Sequence, residues 1–398
     1  MSRNNRKSTA FNPSAVPLDL LKERAYNYRW AEVAEGVIPL TAADPDFPVA
    51  HEITEAIKKY VHDGVFSYGP PTGLPAFREA ISSWYAATKQ VTFDPALILP
   101  VNSAAFGLFL AAQTILQKGD QALILQPVDF LFRKAIENAG AEVVTSALHS
   151  LTGEIDEADI RAKLNASVKA IFVCNPNNPL GKCMTTADLL TVAKIAVEYN
   201  LWIVADEIWA DISFDTHCRS IAAVCEFAKD RIITISGLSK NFGLAGLRIG
   251  YVAVSNPGLF HKLYSTSQSA TTAFGIATLS QIAGTAALTS GGQWLSDFLL
   301  HLKEMRAYIE QRILDIPVFE SNHPNSTYLF FPKLVNTRFS SQEMCDYLMK
   351  EAKVALVPGG KNWFEERSEG HVRICYSTSQ AILKEAFDRI EEATRKLG

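Results

Sequence analysis

Short continuous apolar runs alternate with stretches whose apolar residues recur every three or four positions, and each pattern predicts a different element. Ile53, Ala56, Ile57, Tyr60 and Val61 fall on one helical face, which Gly64 ends. Leu74 to Ala87 repeats that spacing with Phe77, Ile81, Trp84 and Tyr85. The runs Leu97 to Val101, Ala122 to Leu125, Glu142 to Thr145, Ala170 to Val173, Trp202 to Ala205, Ile232 to Ile235 and Ile249 to Val254 predict strands. Between them, Asn102 to Leu116, Phe130 to Asn138, Ala158 to Leu164 and Ala187 to Tyr199 predict helices. This alternation predicts an α/β fold with a mostly parallel sheet sandwiched by helices. Only a glycine-rich loop separates the last two strands, too short for a helical crossover, so Ile249 to Val254 is expected to run antiparallel. Beyond Ser280 the rhythm changes. A long amphipathic helix from Trp294 to Leu314, a strand near Tyr328 to Phe331, helices from Ser341 and Gln380, and strands near Ala355 and Arg373 predict a smaller α+β domain. The expected divisions are residues 1–45, an N-terminal arm and part of the small domain; 46–285, the large domain; and 286–398, the small C-terminal domain.

Composition narrows the function. Nearly half of the 398 residues are apolar, ample for a large core, and the net charge of -4 gives no support to nucleic-acid binding or a polybasic membrane patch. The six cysteines are scattered without a paired CxxC or a zinc-like spacing, which fits free thiols in a reducing compartment and no metal. The first residues, MSRNNRKSTAFNPS, lack the apolar core of a signal peptide, and no window reaches transmembrane length, so a soluble cytoplasmic protein is expected.

The candidate chemistry lies in loops at strand ends. Lys240 follows a buried strand, where desolvation would lower its pKa and free its amine for reaction with a carbonyl. Arg248 lies eight residues on, and Gly243 and Gly246 allow the loop to bend so that the guanidinium holds an anion beside the amine. The alternative is a surface lysine and arginine flanking a tight turn. Ser103, Ala104 and Ala105 open a helix whose free N–H groups would cradle phosphate, although small residues there serve close packing equally well. Asn178 and Asp206 also follow strand ends, and in such sheets a ligand sits at the carboxyl ends of the parallel strands. Tyr68, in the turn cluster Tyr68-Gly69-Pro70-Pro71-Thr72-Gly73, is presented on a loop.

Three segments together carry a family resemblance. Ser-Lys-Asn-Phe-Gly-Leu-Ala-Gly-Leu-Arg-Ile-Gly at 239–250, Asn-Pro-Asn-Asn-Pro-Leu-Gly at 175–181 and Ala-Asp-Glu-Ile at 205–208 resemble the fold type I pyridoxal-phosphate enzymes of the class I/II aminotransferase group. The resemblance spans nearly the whole chain. It implies the pyridoxal-phosphate transferase fold, with 46–285 as the cofactor-binding domain. It implies that Lys240 forms the Schiff base with the cofactor and shuttles the α-proton. It further implies that Asp206 keeps the pyridine nitrogen protonated, Asn178 serves the ring hydroxyl, and Ser103, Ala104, Ala105 and Arg248 hold the phosphate. Arg373 matches the arginine that grips the substrate α-carboxylate, and Tyr68 a tyrosine that reaches the partner subunit's phosphate, so a homodimer with shared sites is implied. The substrates would be amino acids and 2-oxo acids.

Three departures bear on substrate. Trp209 stands where the family commonly has tyrosine, or histidine in the cystathionine β-lyase branch. Asp129, in Pro127-Val128-Asp129-Phe130, stands where an aromatic ring usually stacks on the cofactor; it reads either as a helix cap, with Phe130 covering the ring, or as a group facing the substrate cleft. Gly237 replaces the phosphate serine, with Ser236 and Ser239 as substitutes. The reading ranked first is an aminotransferase moving the amino group of an L-amino acid to a 2-oxo acid. A carbon–sulfur β-lyase of the cystathionine type, suggested by Ala42 to Phe47 and Ile208 to Asp211, is the alternative, and a non-catalytic ligand sensor ranks third.

Overall fold

A computed structural model describes residues 11, 16–23, 28–214, 218–271 and 275–397; parts of the expected N-terminal arm lie outside the described residues. Seven strands form the central sheet: β1 Ile98–Val101, β2 Gln121–Gln126, β3 Glu142–Ala147, β4 Val168–Cys174, β5 Trp202–Asp206, β6 Ile232–Gly237 and β7 Gly250–Val254, in the order β1-β7-β6-β5-β4-β2-β3. β7 runs antiparallel to both of its neighbours and the remaining pairs are parallel, as the short loop after β6 requires. β4, β5, β6 and β7 are buried almost throughout, which explains why their sequences read as unbroken apolar runs.

The helices follow the sequence pattern within one to three residues because their ends carry local signals. α1 His51–Asp63 stops at Gly64, whose φ of 67° is the left-handed cap, and α2 Pro75–Lys89 begins on proline. α3 Ala104–Ile115 is capped by the Ser103 hydroxyl, which accepts from the Phe106 N–H. α4 Leu131–Asn138 follows β2, and α5 Thr186–Glu198 opens with a capping box of Thr185 and Asp188. Two helices gave no legible signal, α6 Pro257–Ser267 and α7 Thr278–Ser290. α7 is built of small apolar and small polar residues, which let it pack closely on α1 and α2 but leave little contrast along the sequence.

α8 Gly292–Leu314 leads into the smaller region. There β8 Leu329–Phe330, β9 Val357–Pro358 and β10 Val372–Cys375 form an antiparallel sheet in the order β8-β10-β9, covered by α9 Ser341–Glu351 and α10 Gln380–Thr394. The N-terminal segment joins this region: Ile38–Pro39 pairs in parallel with Val354–Ala355, and the Cys375 N–H donates to the Leu40 carbonyl. Residues 40–47 then cross to the large sheet. Arg29 holds the crossing by pairing with Asp46, both side chains fully buried, while the Trp30 indole N–H donates to the same carboxylate at 2.9 Å.

A second buried ion pair ties α2 to the loop after β5. Lys89 Nζ lies 2.7 Å from Asp211 Oδ1, and Asp211 Oδ2 accepts from Asn241 Nδ2 at 2.7 Å and from Trp84 Nε1 at 3.1 Å. Asp211 therefore fixes the residue next to Lys240. Replacing it with alanine leaves a buried ammonium without its bonded counter-charge and should cost about 3–5 kcal/mol, measured by equilibrium urea unfolding. The double substitution Lys89→Met/Asp211→Leu should recover most of that loss. A single-variant cost below about 1 kcal/mol would mean the pair behaves like a surface one.

Candidate active site

The carboxyl ends of β2, β4, β5 and β6 open on a cavity of about 300 Å³. Asp129 follows β2, Cys174 ends β4, Asp206 ends β5 and Lys240 lies three residues beyond β6. Arg373 enters the cavity from β10. Of the residues singled out from sequence, Ser103, Ala104, Ala105, Asn178, Asp206, Lys240, Arg248 and Arg373 all line this one cavity. Tyr68 does not. It is 89% exposed and lines a separate groove with Phe66, Ser269 and Ile276.

One end of the cavity is built to meet an anion. The first-turn N–H groups of α3 have no intrahelical acceptor, so Ala104 and Ala105 present donors and the positive end of the helix. A β-carbon on Gly250 would stand 2.5 Å from the Ser103 carbonyl carbon and 2.6 Å from the Ala104 nitrogen, so glycine is what allows this helix start to rest on β7. Arg248, in the left-handed conformation with φ 50°, borders the same end, exposed and with no carboxylate partner among the described residues. Gly237 has no room for a serine, since a β-carbon would meet the Ile249 carbonyl at 2.8 Å. Ser239 lines the cavity instead, whereas Ser236 donates to the Glu207 carbonyl.

The other groups are charges with few counter-charges. Lys240 Nζ donates to the Ala43 carbonyl at 2.7 Å and stands 5.5 Å from the centre of the Trp209 ring. Burial holds its pKa below the usual lysine value, against the opposing pull of Asp44. Burial pushes the Asp206 carboxyl up to about 7, although its Oδ1 accepts from the Ile208 N–H at 3.0 Å. Arg373 is buried, donates to Asn178 Oδ1 at 3.1 Å and to the Thr41 carbonyl at 3.0 Å, and lies over the Phe364 ring. Its Nε has no acceptor, and burial lowers its pKa.

Asp129 joins the two readings offered for it. Its Oδ1 accepts from the Leu131 N–H at 3.1 Å, as a cap would, and its Oδ2 accepts from Asn178 Nδ2 at 3.0 Å on the cavity wall. Phe130 does not cover the cavity; it packs edge-on against Trp363 at 5.9 Å. Trp209 is fully buried, edge-on to Tyr328 at 4.6 Å. Nothing in the residue types points to the Thr41 and Ala43 carbonyls, because a backbone acceptor leaves no mark on them. Arg29, Lys89 and Asp211 were equally hidden, being charged residues whose burial depends on distant partners.

The family model for aminotransferase class I and II matches residues 35–390. The aspartate aminotransferase of Pyrococcus abyssi is 30% identical over 370 residues, covering 90% of this chain and 92% of that one. The aromatic-amino-acid aminotransferase 2 of Thermococcus litoralis is 28% identical over 379 residues, covering 92% and 94%. The crystal structure of the aromatic aminotransferase from Pyrococcus horikoshii superposes with a TM-score of 0.84 at 27% identity, over 94% of this chain and 100% of that one. The matched span includes the cavity walls on both sides, and the chain belongs to the class I and II aminotransferase family, a pyridoxal-phosphate-dependent transaminase.

Proposed function

We propose that the cavity transfers the amino group of an L-amino acid to a 2-oxo acid, with Lys240 as the catalytic amine and Arg373 as the carboxylate anchor. The observation that carries this reading is Arg373 itself, a buried guanidinium with no carboxylate ion-paired to it among the described residues. Such a charge is costly unless an anion completes it, and a substrate α-carboxylate does so bidentately. Pyridoxal phosphate, when bound, supplies an aldehyde and a protonated ring that draws electrons from the substrate Cα.

The residues present fit that cofactor. The donors of Ala104 and Ala105, the Ser103 and Ser239 hydroxyls and unpaired Arg248 suit a phosphate. Asp206, buried without a cation bonded to it, suits the protonated ring nitrogen. Asn178, whose amide has one N–H beyond that given to Asp129, suits the ring hydroxyl. Lys240, its proton affinity lowered by burial, is suited to take and return a proton at Nζ. Trp209 and Phe132, both buried, give the cavity an apolar part of its wall.

The proposal includes a homodimer in which Tyr68 completes the partner's phosphate site. Its support is the exposed apolar loop of Val65, Phe66 and Tyr68, an unusual surface for a monomer. The cytoplasmic assignment rests on six cysteines that form no disulfide; no helix among the described residues is long and apolar enough to cross a membrane.

Borohydride reduction of the loaded enzyme should fix the cofactor on the peptide containing Lys240, and Lys240→Ala should bind it only reversibly and lose turnover. Label on any other lysine would sink the assignment. Arg373→Gln should lower kcat/KM by about 10²–10³-fold, the worth of a buried charge-assisted pair. Free ammonia released in step with oxo acid would instead indicate elimination.

Mixing inactive Tyr68→Phe and Lys240→Ala proteins tests the shared site, because a hybrid dimer holds one site intact in both respects. Activity no greater than the sum of the parents, after subunit exchange has been verified, would exclude a role for Tyr68 across the interface.

The cofactor-free protein should be most stable in acid with respect to Asp206. Its folded pKa, about 7, lies above the unfolded value of 3.8, so the folded state binds the extra proton and stability falls as pH rises from about 4 to about 7. Asp206→Asn should remove from that decline a contribution on the order of a few kcal/mol, read from unfolding midpoints across the range. Identical pH slopes in parent and variant would mean that the carboxyl is not shifted.

A further inference from the structure

Resting on the reading above, the cavity charges can be matched one by one against what they would meet. The lining side chains include three cations, Lys240, Arg248 and Arg373, and two carboxylates, Asp129 and Asp206. The aldehyde and proton transfer occupy Lys240, the phosphate occupies Arg248, the α-carboxylate occupies Arg373, and the ring nitrogen occupies Asp206. Asp129 is left without an assigned partner, and no lining cation is left at all. The dimer adds none from the Tyr68 groove, since residues 64–77 and 263–302 contain neither lysine nor arginine.

Burial raises the pKa of the Asp129 carboxyl, and Arg373 and Lys240 pull it back down from a distance, without a direct ion pair among the described residues. The carboxylate is pinned by the Leu131 N–H on one oxygen and by Asn178 Nδ2 on the other. Asn178 accepts from Arg373 through Oδ1 at 3.1 Å, so its amide stands between guanidinium and carboxylate as a spacer. Among the described residues no lysine or arginine forms an ion pair with Asp129, and both of its oxygens keep acceptor capacity for further donors. A fixed carboxylate with no cation bonded to it, on the wall of a substrate cavity, repels acidic side chains and rewards those that donate.

We propose that Asp129 is the specificity-determining residue for the substrate side chain, selecting amino donors that end in an ammonium, guanidinium, amide or hydroxyl and rejecting aspartate and glutamate. The preference is thus opposite to that of relatives named for aspartate.

The test uses the loaded enzyme in the half-reaction, without an oxo-acid acceptor, followed by cofactor absorbance over a panel of lysine, ornithine, glutamine, serine, alanine, aspartate and glutamate. Donor-bearing side chains should exceed the acidic ones at least tenfold in kcat/KM. Asp129→Asn should cut the ornithine-to-glutamate ratio by roughly 10–100-fold. Equilibrium binding of 2-methylornithine and 2-methylglutamate, which have no α-hydrogen to lose, should show the same inversion without any turnover. Aspartate or glutamate as the best donor of the parent would overturn the inference while leaving the aminotransferase reading intact, whether or not the variant folds. A uniform loss across the panel in Asp129→Asn would also overturn it, because a group that merely positions Asn178 affects every donor alike. Conversion of none of the donors would instead sink the role given to Lys240 and Arg373.

Discussion

Two cations, Lys240 and Arg373, line one cavity, and among the described residues neither is closed off by a bonded carboxylate. Each is instead held by a backbone carbonyl of the same short loop, Ala43 for Lys240 and Thr41 for Arg373. A carbonyl dipole orients a cation without cancelling its charge, which leaves both groups available to a ligand. That arrangement depends on the loop being rigid. Its rigidity comes from below: Arg29 donates to the Ala42 carbonyl and pairs with Asp46, Trp30 donates to Asp46, and Ser377 binds the loop through the Asp46 N–H and the Asp44 carbonyl. Two fully buried ions, Arg29 and Asp46, balance each other's charge within this support.

The same loop spans the large sheet and the smaller region, so the distance between amine and guanidinium is set by a covalent run of three residues. Domain packing alone would let that distance drift with every repacking of α8 or α10. A misplacement of about 1 Å costs on the order of 10²-fold in rate where two groups must act on one small molecule. This gives a physical reason for the N-terminal segment to pair with Val354–Ala355 before crossing back to the sheet.

Much of this was legible in the residues, for reasons that differ by element. The order of strands and helices is written in apolar periodicity, and the antiparallel β7 follows from the length of one loop. The cavity residues share a location because they follow the carboxyl ends of parallel strands, where topology brings them together. What stayed hidden depends on partners far apart in sequence. Nothing around Asp211 announces that Lys89, Trp84 and Asn241 will converge on it, and nothing in Thr41 or Ala43 marks their carbonyls. Asp129 could be read as a cap or as a cleft residue because both are true: one oxygen faces the helix and the other the cavity. Gly237, read as a lost serine, is fixed by the Ile249 carbonyl, and of the two substitutes read from sequence it is Ser239 that lines the cavity.

An aspartate at position 129, where the family resemblance implies a stacking aromatic, changes what the rest of the wall must do. An aromatic ring would touch Asn178 only through dispersion, whereas the carboxylate takes one of its two amide hydrogens and thereby fixes which way the amide points. With Nδ2 committed to Asp129, Oδ1 is turned to Arg373, and the guanidinium is drawn toward the carbonyl of Asn178 rather than toward the carboxylate behind it. If the amide were reversed, its N–H groups would meet the guanidinium and its oxygen the carboxylate, two repulsive contacts in a buried place. The Asp129–Asn178–Arg373 series therefore has one favourable order, and that order keeps a negative and a positive group a full amide apart. In the proposed function, that separation leaves Arg373 to the substrate's carboxylate and Asp129 to its side chain.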